Sequence, residues 1–96
     1  LVRDKIPEII KKSGKNFTVH TASKDEYTKL LEAKLREETE EYIQDKNLEE
    51  LSDILEVIIA LSKNLGYSEN DLFNKRNEKK TKRGGFENRI VLEKVL

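Results

Sequence analysis

Three helix-capping signatures divide most of the chain into helices, and they limit its fold more than any other feature. Each is a Ser or Asn followed three residues later by an acid, a spacing at which side chain and backbone cap each other: Ser23 with Glu26, Asn47 with Glu50, and Ser68 with Asp71. Helices are therefore predicted over about 24–44, 48–65 and 69–83. Because the connections between them are short, neighbouring helices are expected to run antiparallel.

Shorter elements are predicted outside these three helices. Pro7 suits the first turn of a short helix, where its missing N–H is not needed, and Gly14 provides the stop. Residues 17–20 and 89–92 are rich in β-branched or aromatic side chains and stand beside turn residues, so two short paired strands are predicted there. The expected fold is mainly α, an antiparallel bundle of three longer helices with a short N-terminal helix and this small pairing, in a single domain over 1–96.

Length and composition narrow the functional classes. A chain of 96 residues buries only about 60–65% of the surface that it exposes when unfolded, so a homo-oligomer, dimer or larger, is expected. The absence of cysteine excludes disulfides and thiolate metal sites and favours a reducing, cytoplasmic location. No apolar run is long enough to cross a bilayer and no signal-peptide stretch is recognised, so no membrane partner is expected.

The charges balance overall but are segregated along the chain. Residues 23–56 carry twelve acids and five bases, whereas residues 75–83 carry six bases and the single acid Glu78. An acidic cluster that holds a cation and a basic cluster that holds an anion would suit a metal and polyphosphate site. Two solvated helix faces would produce the same pattern, and both interpretations stay open at this stage.

Four carboxylates are predicted to point inward from the first two long helices. At 100° per residue, Glu38 falls near the centre of the first helix's apolar stripe and Glu41 on its flank. Glu50 falls within the apolar arc of the second helix, and Asp53 lies one turn along at its edge. The stripe that surrounds Glu38 comprises Tyr27, Leu30, Leu31, Leu35 and Tyr42.

Buried acids need compensation, because an unpaired carboxylate in an apolar environment is costly. A divalent cation is the simplest source, and hard oxygen ligands favour Mg²⁺, or Mn²⁺, over zinc. Four acids would serve one ion and a general base, or two ions. The alternative is neutralisation by basic residues near them in sequence, such as Lys34 and Arg36.

Two acidic motifs carry a resemblance to a known family. Residues 37–41 (EETEE) followed by 50–53 (ELSD) resemble the E-E-x-x-E and E-x-x-D signature of the MazG-like, all-α nucleotide pyrophosphatase superfamily. The opening 1–7 (LVRDKIP) and the closing 82–86 (KRGGF) are similar to a branch described as phosphoribosyl-ATP pyrophosphohydrolase-like. The eight residues between Glu41 and Glu50 are fewer than is usual in the superfamily.

The resemblance implies Mg²⁺-dependent hydrolysis of a nucleoside triphosphate, or a related nucleotide, to the monophosphate and pyrophosphate, often as house-cleaning of non-canonical nucleotides. It implies Glu38, Glu41, Glu50 and Asp53 as metal ligands, and a homo-oligomer in which a partner subunit completes the site. Either Glu37 or Glu38 is the candidate general base.

Basic residues of the third long helix are candidates for holding the substrate. Asn77, Lys80 and Arg83 are expected to contact phosphate or sugar. The alternative is that these cations only complement the carboxyl end of their helix and solvate its surface.

Three other functions remain open. A catalytically silent nucleotide- or metal-binding helical module would bind nucleotide without releasing pyrophosphate. A nucleic-acid-binding module would use the basic residues 75–83, but the acidic flank opposes it, so no nucleic-acid partner is expected. A plain helical dimerisation protein would leave the four acids exposed.

Overall fold

The computed structural model describes all 96 residues, which form four α-helices and no strands. The helices are α1 (Ile6–Lys12), α2 (Lys24–Asp45), α3 (Leu48–Asn64) and α4 (Glu69–Arg83). The mainly α fold is confirmed, and the observed ends of the three longer helices differ from the predicted ones by at most one residue. None of the helices combines the length and apolar character needed to cross a membrane.

All three capping signatures form the bond from the backbone N–H to the N-cap side chain, and one of them also forms the reciprocal bond. Ser68 and Asp71 cap each other: Ser68 Oγ accepts from the Asp71 N–H at 3.1 Å, and the Asp71 carboxylate accepts from the Ser68 N–H at 2.9 Å. These bonds hold the pKa of Asp71 below its ordinary value. The other two caps are single bonds, from the Glu26 N–H to Ser23 Oγ (3.2 Å) and from the Glu50 N–H to Asn47 Oδ1 (2.9 Å).

α2 and α3 form a helical hairpin that contains the core. The chain reverses between them at Lys46, whose left-handed backbone (φ 49°) ends α2 before Asn47 caps α3. The buried apolar side chains are Leu31 of α2 and Val57 and Ile59 of α3. Near the far end of the hairpin, Asn64 Nδ2 donates a 2.9 Å hydrogen bond across the interface to the Thr28 hydroxyl.

α4 contacts α3 but not α2, and the molecule is elongated. Its extents are 62 × 31 × 22 Å and its radius of gyration is 17.7 Å, whereas a compact domain of this length would have about 12 Å. Only five residues are buried. A single copy therefore leaves much of its apolar surface open to solvent, as the small core predicted from the length suggests.

The predicted pairing of two short strands, 17–20 with 89–92, is wrong. Both segments lack regular secondary structure. Ile90, Val91 and Leu92 are 83%, 82% and 76% exposed, so they bury almost no apolar surface. Two isolated four-residue strands are not stable in water unless a further strand or a helix covers one face, and here neither segment is covered in that way.

Candidate metal centre

Acidic side chains of α2 and α3 meet within the hairpin. Glu38 is only 7% exposed, and Glu50 and Asp53 are half-buried. One carboxylate oxygen from each of the three lies within 4.8 Å of the others. The prediction that these acids point inward is confirmed, and we call Glu38, Glu50 and Asp53 the hairpin triad.

A second acidic group overlaps the hairpin triad on α2. Carboxylate oxygens of Glu37, Glu38 and Glu41 also lie within 4.8 Å of one another, with Glu37 exposed and Glu41 half-buried. The four predicted metal ligands therefore fall into two groups that share Glu38. The helical spacing explains this arrangement, because residues three and four apart lie on the same face of a helix.

Two oxygens of the hairpin triad are buried without a hydrogen-bond partner. They are Oε2 of Glu38 and Oε2 of Glu50, one on each helix. A carboxylate oxygen withdrawn from water and left unpaired costs free energy, whereas bonding to a cation compensates that loss. This observation is independent of the acidic composition, and a nearby positive charge would compensate both oxygens.

Lys34 supplies part of that charge. Its Nζ lies 3.3 Å from Glu38 Oε1 and 3.6 Å from Glu37 Oε1. The predicted alternative of neutralisation by neighbouring bases is thus confirmed for Lys34, while Arg36 is exposed and belongs to no ion pair with these acids. Lys34 reaches only one oxygen of Glu38, so the other keeps its unsatisfied valence.

The pKa values of this pair follow from burial and charge. Burial raises the pKa of the Glu38 carboxyl; the Lys34 ammonium opposes the rise without reversing it, and the neighbouring Glu41 carboxyl adds to it. Burial works to lower the pKa of Lys34, but the hydrogen bonds and charges of Glu38 and Glu37 outweigh it, and that pKa is raised.

Arg3 is a site residue that sequence reasoning missed. Its Nη2 donates to Asp53 Oδ1 at 2.7 Å, and residues 1–5 form one wall of a cavity of about 420 Å³. The opposite wall comes from α2 and α3: Tyr27, Leu31, Lys34, Glu38, Asp53, Glu56, Val57 and Ala60. Fifty positions separate Arg3 from Asp53, and no local pattern predicts a contact at that separation.

The predicted substrate residues lie elsewhere in a single copy. Asn77, Lys80 and Arg83 are exposed on α4, and none of them lines the cavity beside the hairpin triad. Asn77 Oδ1 accepts a 2.8 Å hydrogen bond from its neighbour Arg76. Lys80 and Arg83 line a separate basic depression whose other residues are Leu72, Lys75, Arg76, Lys79, Gly84, Gly85, Phe86 and Glu87.

The donor set fits a hard divalent cation. Its atoms are carboxylate oxygens alone, which Mg²⁺ and Mn²⁺ prefer, and Mg²⁺ ordinarily takes one or two carboxylates and completes its shell with water and phosphate oxygens. The two unpartnered oxygens provide ligands that no protein group already occupies. Glu38 and Asp53, two of the three acids, also line the neighbouring cavity.

Comparison with known proteins adds a partial sequence match. Neither a protein family nor a solved structure matches this chain. A segment of 41 residues is 54% identical to an uncharacterized protein of Mycolicibacterium smegmatis, and it covers 43% of this chain and 42% of that relative. The match therefore spans less than half of the relative, and its description names no activity.

Proposed function

We propose that this chain is a Mg²⁺-dependent nucleotide pyrophosphohydrolase of the MazG-like type. It would cleave a nucleoside triphosphate or a related nucleotide to the monophosphate and pyrophosphate, with house-cleaning of non-canonical nucleotides as the role that the resemblance favours. The main support for this proposal is the pair of buried oxygens without hydrogen-bond partners, one on Glu38 and one on Glu50, close to Asp53. The acidic motifs of 37–41 and 50–53 and the absence of thiolate ligands support the same proposal.

The chain's own residues divide the work of this reaction. Glu38, Glu50 and Asp53, with Glu41, hold the cation, which supplies charge compensation to the polyphosphate. Glu37 or Glu38 takes the proton of the attacking water as its oxygen bonds to the phosphorus next to the nucleoside, and the bond from that phosphorus to the departing pyrophosphate breaks. Glu37 is the more accessible of the two, being exposed and 3.6 Å from Lys34.

The proposed active form is a homo-oligomer. Leu48, Leu51 and Leu55 on α3 are 81%, 45% and 43% exposed, which leaves an apolar stripe uncovered beside the acidic end of the hairpin. A second copy packed on this stripe would bury it. Asn77, Lys80 and Arg83 do not line the cavity beside the hairpin triad of their own copy, so we propose that they reach substrate at the site of a partner subunit.

A panel assay tests the proposed function. Pyrophosphate release is measured from canonical and modified nucleoside triphosphates and phosphoribosyl-ATP, with Mg²⁺ and with chelator, for wild type, Glu38→Gln and Glu41→Gln. We expect metal-dependent release that both variants lose. Glu40→Gln, which alters an exposed acid of the same helix, should retain it. No release from any substrate by a folded protein that binds Mg²⁺ would refute the proposal.

A second candidate is a nucleotide- and metal-binding helical module without catalytic activity. The ion pairs Lys34 to Glu38 and Arg3 to Asp53 favour it, because they already neutralise part of the acidic charge. It predicts nucleotide binding without pyrophosphate release in the same assay. Either function is proposed for the cytoplasm, where the lack of cysteine suits a reducing environment.

A further inference from the structure

We propose that Arg3 is a substrate-positioning residue that exchanges partners: it holds Asp53 while the site is free and turns to a phosphate group when a divalent cation takes Asp53. The inference rests on the proposed function and assigns a role to a residue outside the acidic motifs. Its starting point is the 2.7 Å bond between Arg3 Nη2 and Asp53 Oδ1. Arg3 thereby provides a positive charge at the edge of the hairpin triad.

The hairpin triad has an independent sign of an intended ligand. The side chain of Glu38 is more than nine-tenths buried, and its Oε2 has no partner. Arg3 and Lys34 each reach a single oxygen, on Asp53 and Glu38 respectively, and neither reaches the unpartnered oxygens. A divalent cation bound among these carboxylates would repel both side-chain cations, because like charges so close together oppose each other.

Arg3 is the side chain that is free to leave. Its side chain is 56% exposed, whereas that of Lys34 is 27% exposed and anchored within α2 between Glu37 and Glu38. Arg3 precedes α1, and its carbonyl accepts a hydrogen bond from the Ile6 N–H at 3.0 Å, which fixes the backbone but leaves the side chain free. The guanidinium can therefore turn without any movement of a helix.

The destination of Arg3 follows from the cavity and from guanidinium chemistry. Residues 1–5 line the cavity that also contains Glu38 and Asp53, so a polyphosphate bound to the cation would lie within reach of this segment. A guanidinium presents five N–H donors in a planar fork that matches two phosphate oxygens, and this bond is stronger than one exposed carboxylate contact. Once the cation is bound, it is therefore favourable for the Arg3 guanidinium to leave Asp53 and bind phosphate.

Mn²⁺ binding, followed by electron paramagnetic resonance, tests the exchange without a turnover assay. Wild type, Arg3→Gln and Arg3→Lys are titrated with Mn²⁺ alone, and then with tripolyphosphate at saturating Mn²⁺. Tripolyphosphate is the probe because it has no base or sugar. We expect Arg3→Gln to bind Mn²⁺ alone about two- to fivefold more tightly, since a competing surface ion pair is removed, and tripolyphosphate about tenfold more weakly. Arg3→Lys should lie between wild type and Arg3→Gln in both titrations.

Lys5→Gln is the matched control. It removes one positive charge from the same cavity wall and should change each affinity by less than Arg3→Gln does. Weaker Mn²⁺ binding by Arg3→Gln would overturn the exchange, since Arg3 would then orient Asp53 for the metal. Unchanged affinities would overturn it too, and would leave the proposed function intact. A wild type that binds no Mn²⁺ would instead overturn the metal site and both proposals.

Discussion

Lys34 and Glu38 lie one turn apart on α2, and the lysine Nζ is 3.3 Å from one oxygen of a carboxylate whose other oxygen is buried without a partner. Only one of the two Glu38 carboxylate oxygens therefore has a partner. Burial outweighs the lysine and raises the pKa of Glu38. A cation beside the unpartnered oxygen would remove this cost, so the stability of the protein and the occupancy of the site should be coupled.

Divalent metal is expected to stabilise the folded chain. At free Mg²⁺ about a hundredfold above its dissociation constant, linkage contributes about 2.7 kcal/mol, which raises the Tm of a domain of this size by roughly 10–20 °C. Thermal unfolding followed by circular dichroism, with MgCl₂ and with chelator, measures the shift. Glu38→Gln should lose the shift and Glu40→Gln should keep it, so equal shifts in both variants would contradict a site at Glu38.

Without metal, Glu38→Gln is expected to be more stable than wild type at neutral pH. The folded-state pKa of Glu38 is raised above its ordinary 4.5. The stability that wild type gains from protonated Glu38 is therefore fully present below pH 4.5 and is lost as pH rises through the folded-state pKa. The advantage of the variant should therefore appear above pH 4.5 and reach about 1–3 kcal/mol, the cost of a buried unsatisfied group.

Urea unfolding in chelator between pH 4.5 and 8 measures this difference. The variant loses the 3.3 Å ion pair of Lys34 with Glu38, but Lys34 keeps Glu37 as an ion-pair acceptor. A gap that narrows with rising pH would mean that Lys34 compensates Glu38 fully.

The core prediction concerns Leu31, which is 3% exposed between α2 and α3. Leu31→Ala should destabilise the chain by about 2–5 kcal/mol, because it removes buried methyl groups and leaves a cavity. Val91→Ala, at a position that is 82% exposed, should change the free energy of unfolding by less than about 0.5 kcal/mol. Chemical denaturation measures both, and similar losses would show that the core lies elsewhere.

The exposed stripe of α3 is expected to form a subunit interface. Wild type should sediment as a dimer or a larger oligomer, and Leu51→Lys should shift it to monomer by placing a charge within the apolar contact. Leu92→Lys makes the same change at a position that is 76% exposed and outside the helices, so it should leave the assembly intact. A monomeric wild type in sedimentation equilibrium would contradict the interface.

Local interactions account for what could be predicted from the sequence. Ser68 and Asp71 are only three residues apart, so their mutual cap depends on local backbone geometry alone. Such caps mark where helices begin, and the ends of the three longer helices were therefore predicted to within one residue. The inward position of Glu38 follows from helical periodicity alone. The hairpin triad then required only that two short-linked helices pack side by side, which made Glu50 and Asp53 predictable as its other members.

Tertiary structure decided whatever depends on contacts between distant segments. The segments 17–20 and 89–92 have strand composition, yet no neighbouring layer covers them and they stay irregular. The contact of Arg3 with Asp53 arises because residues 1–5 pass beside the hairpin, which no periodicity encodes. Sequence alone thus determined the helices and the direction of their acids through bonds that span one turn, whereas only the fold decided which cations reach those acids, because that depends on how separate segments pack.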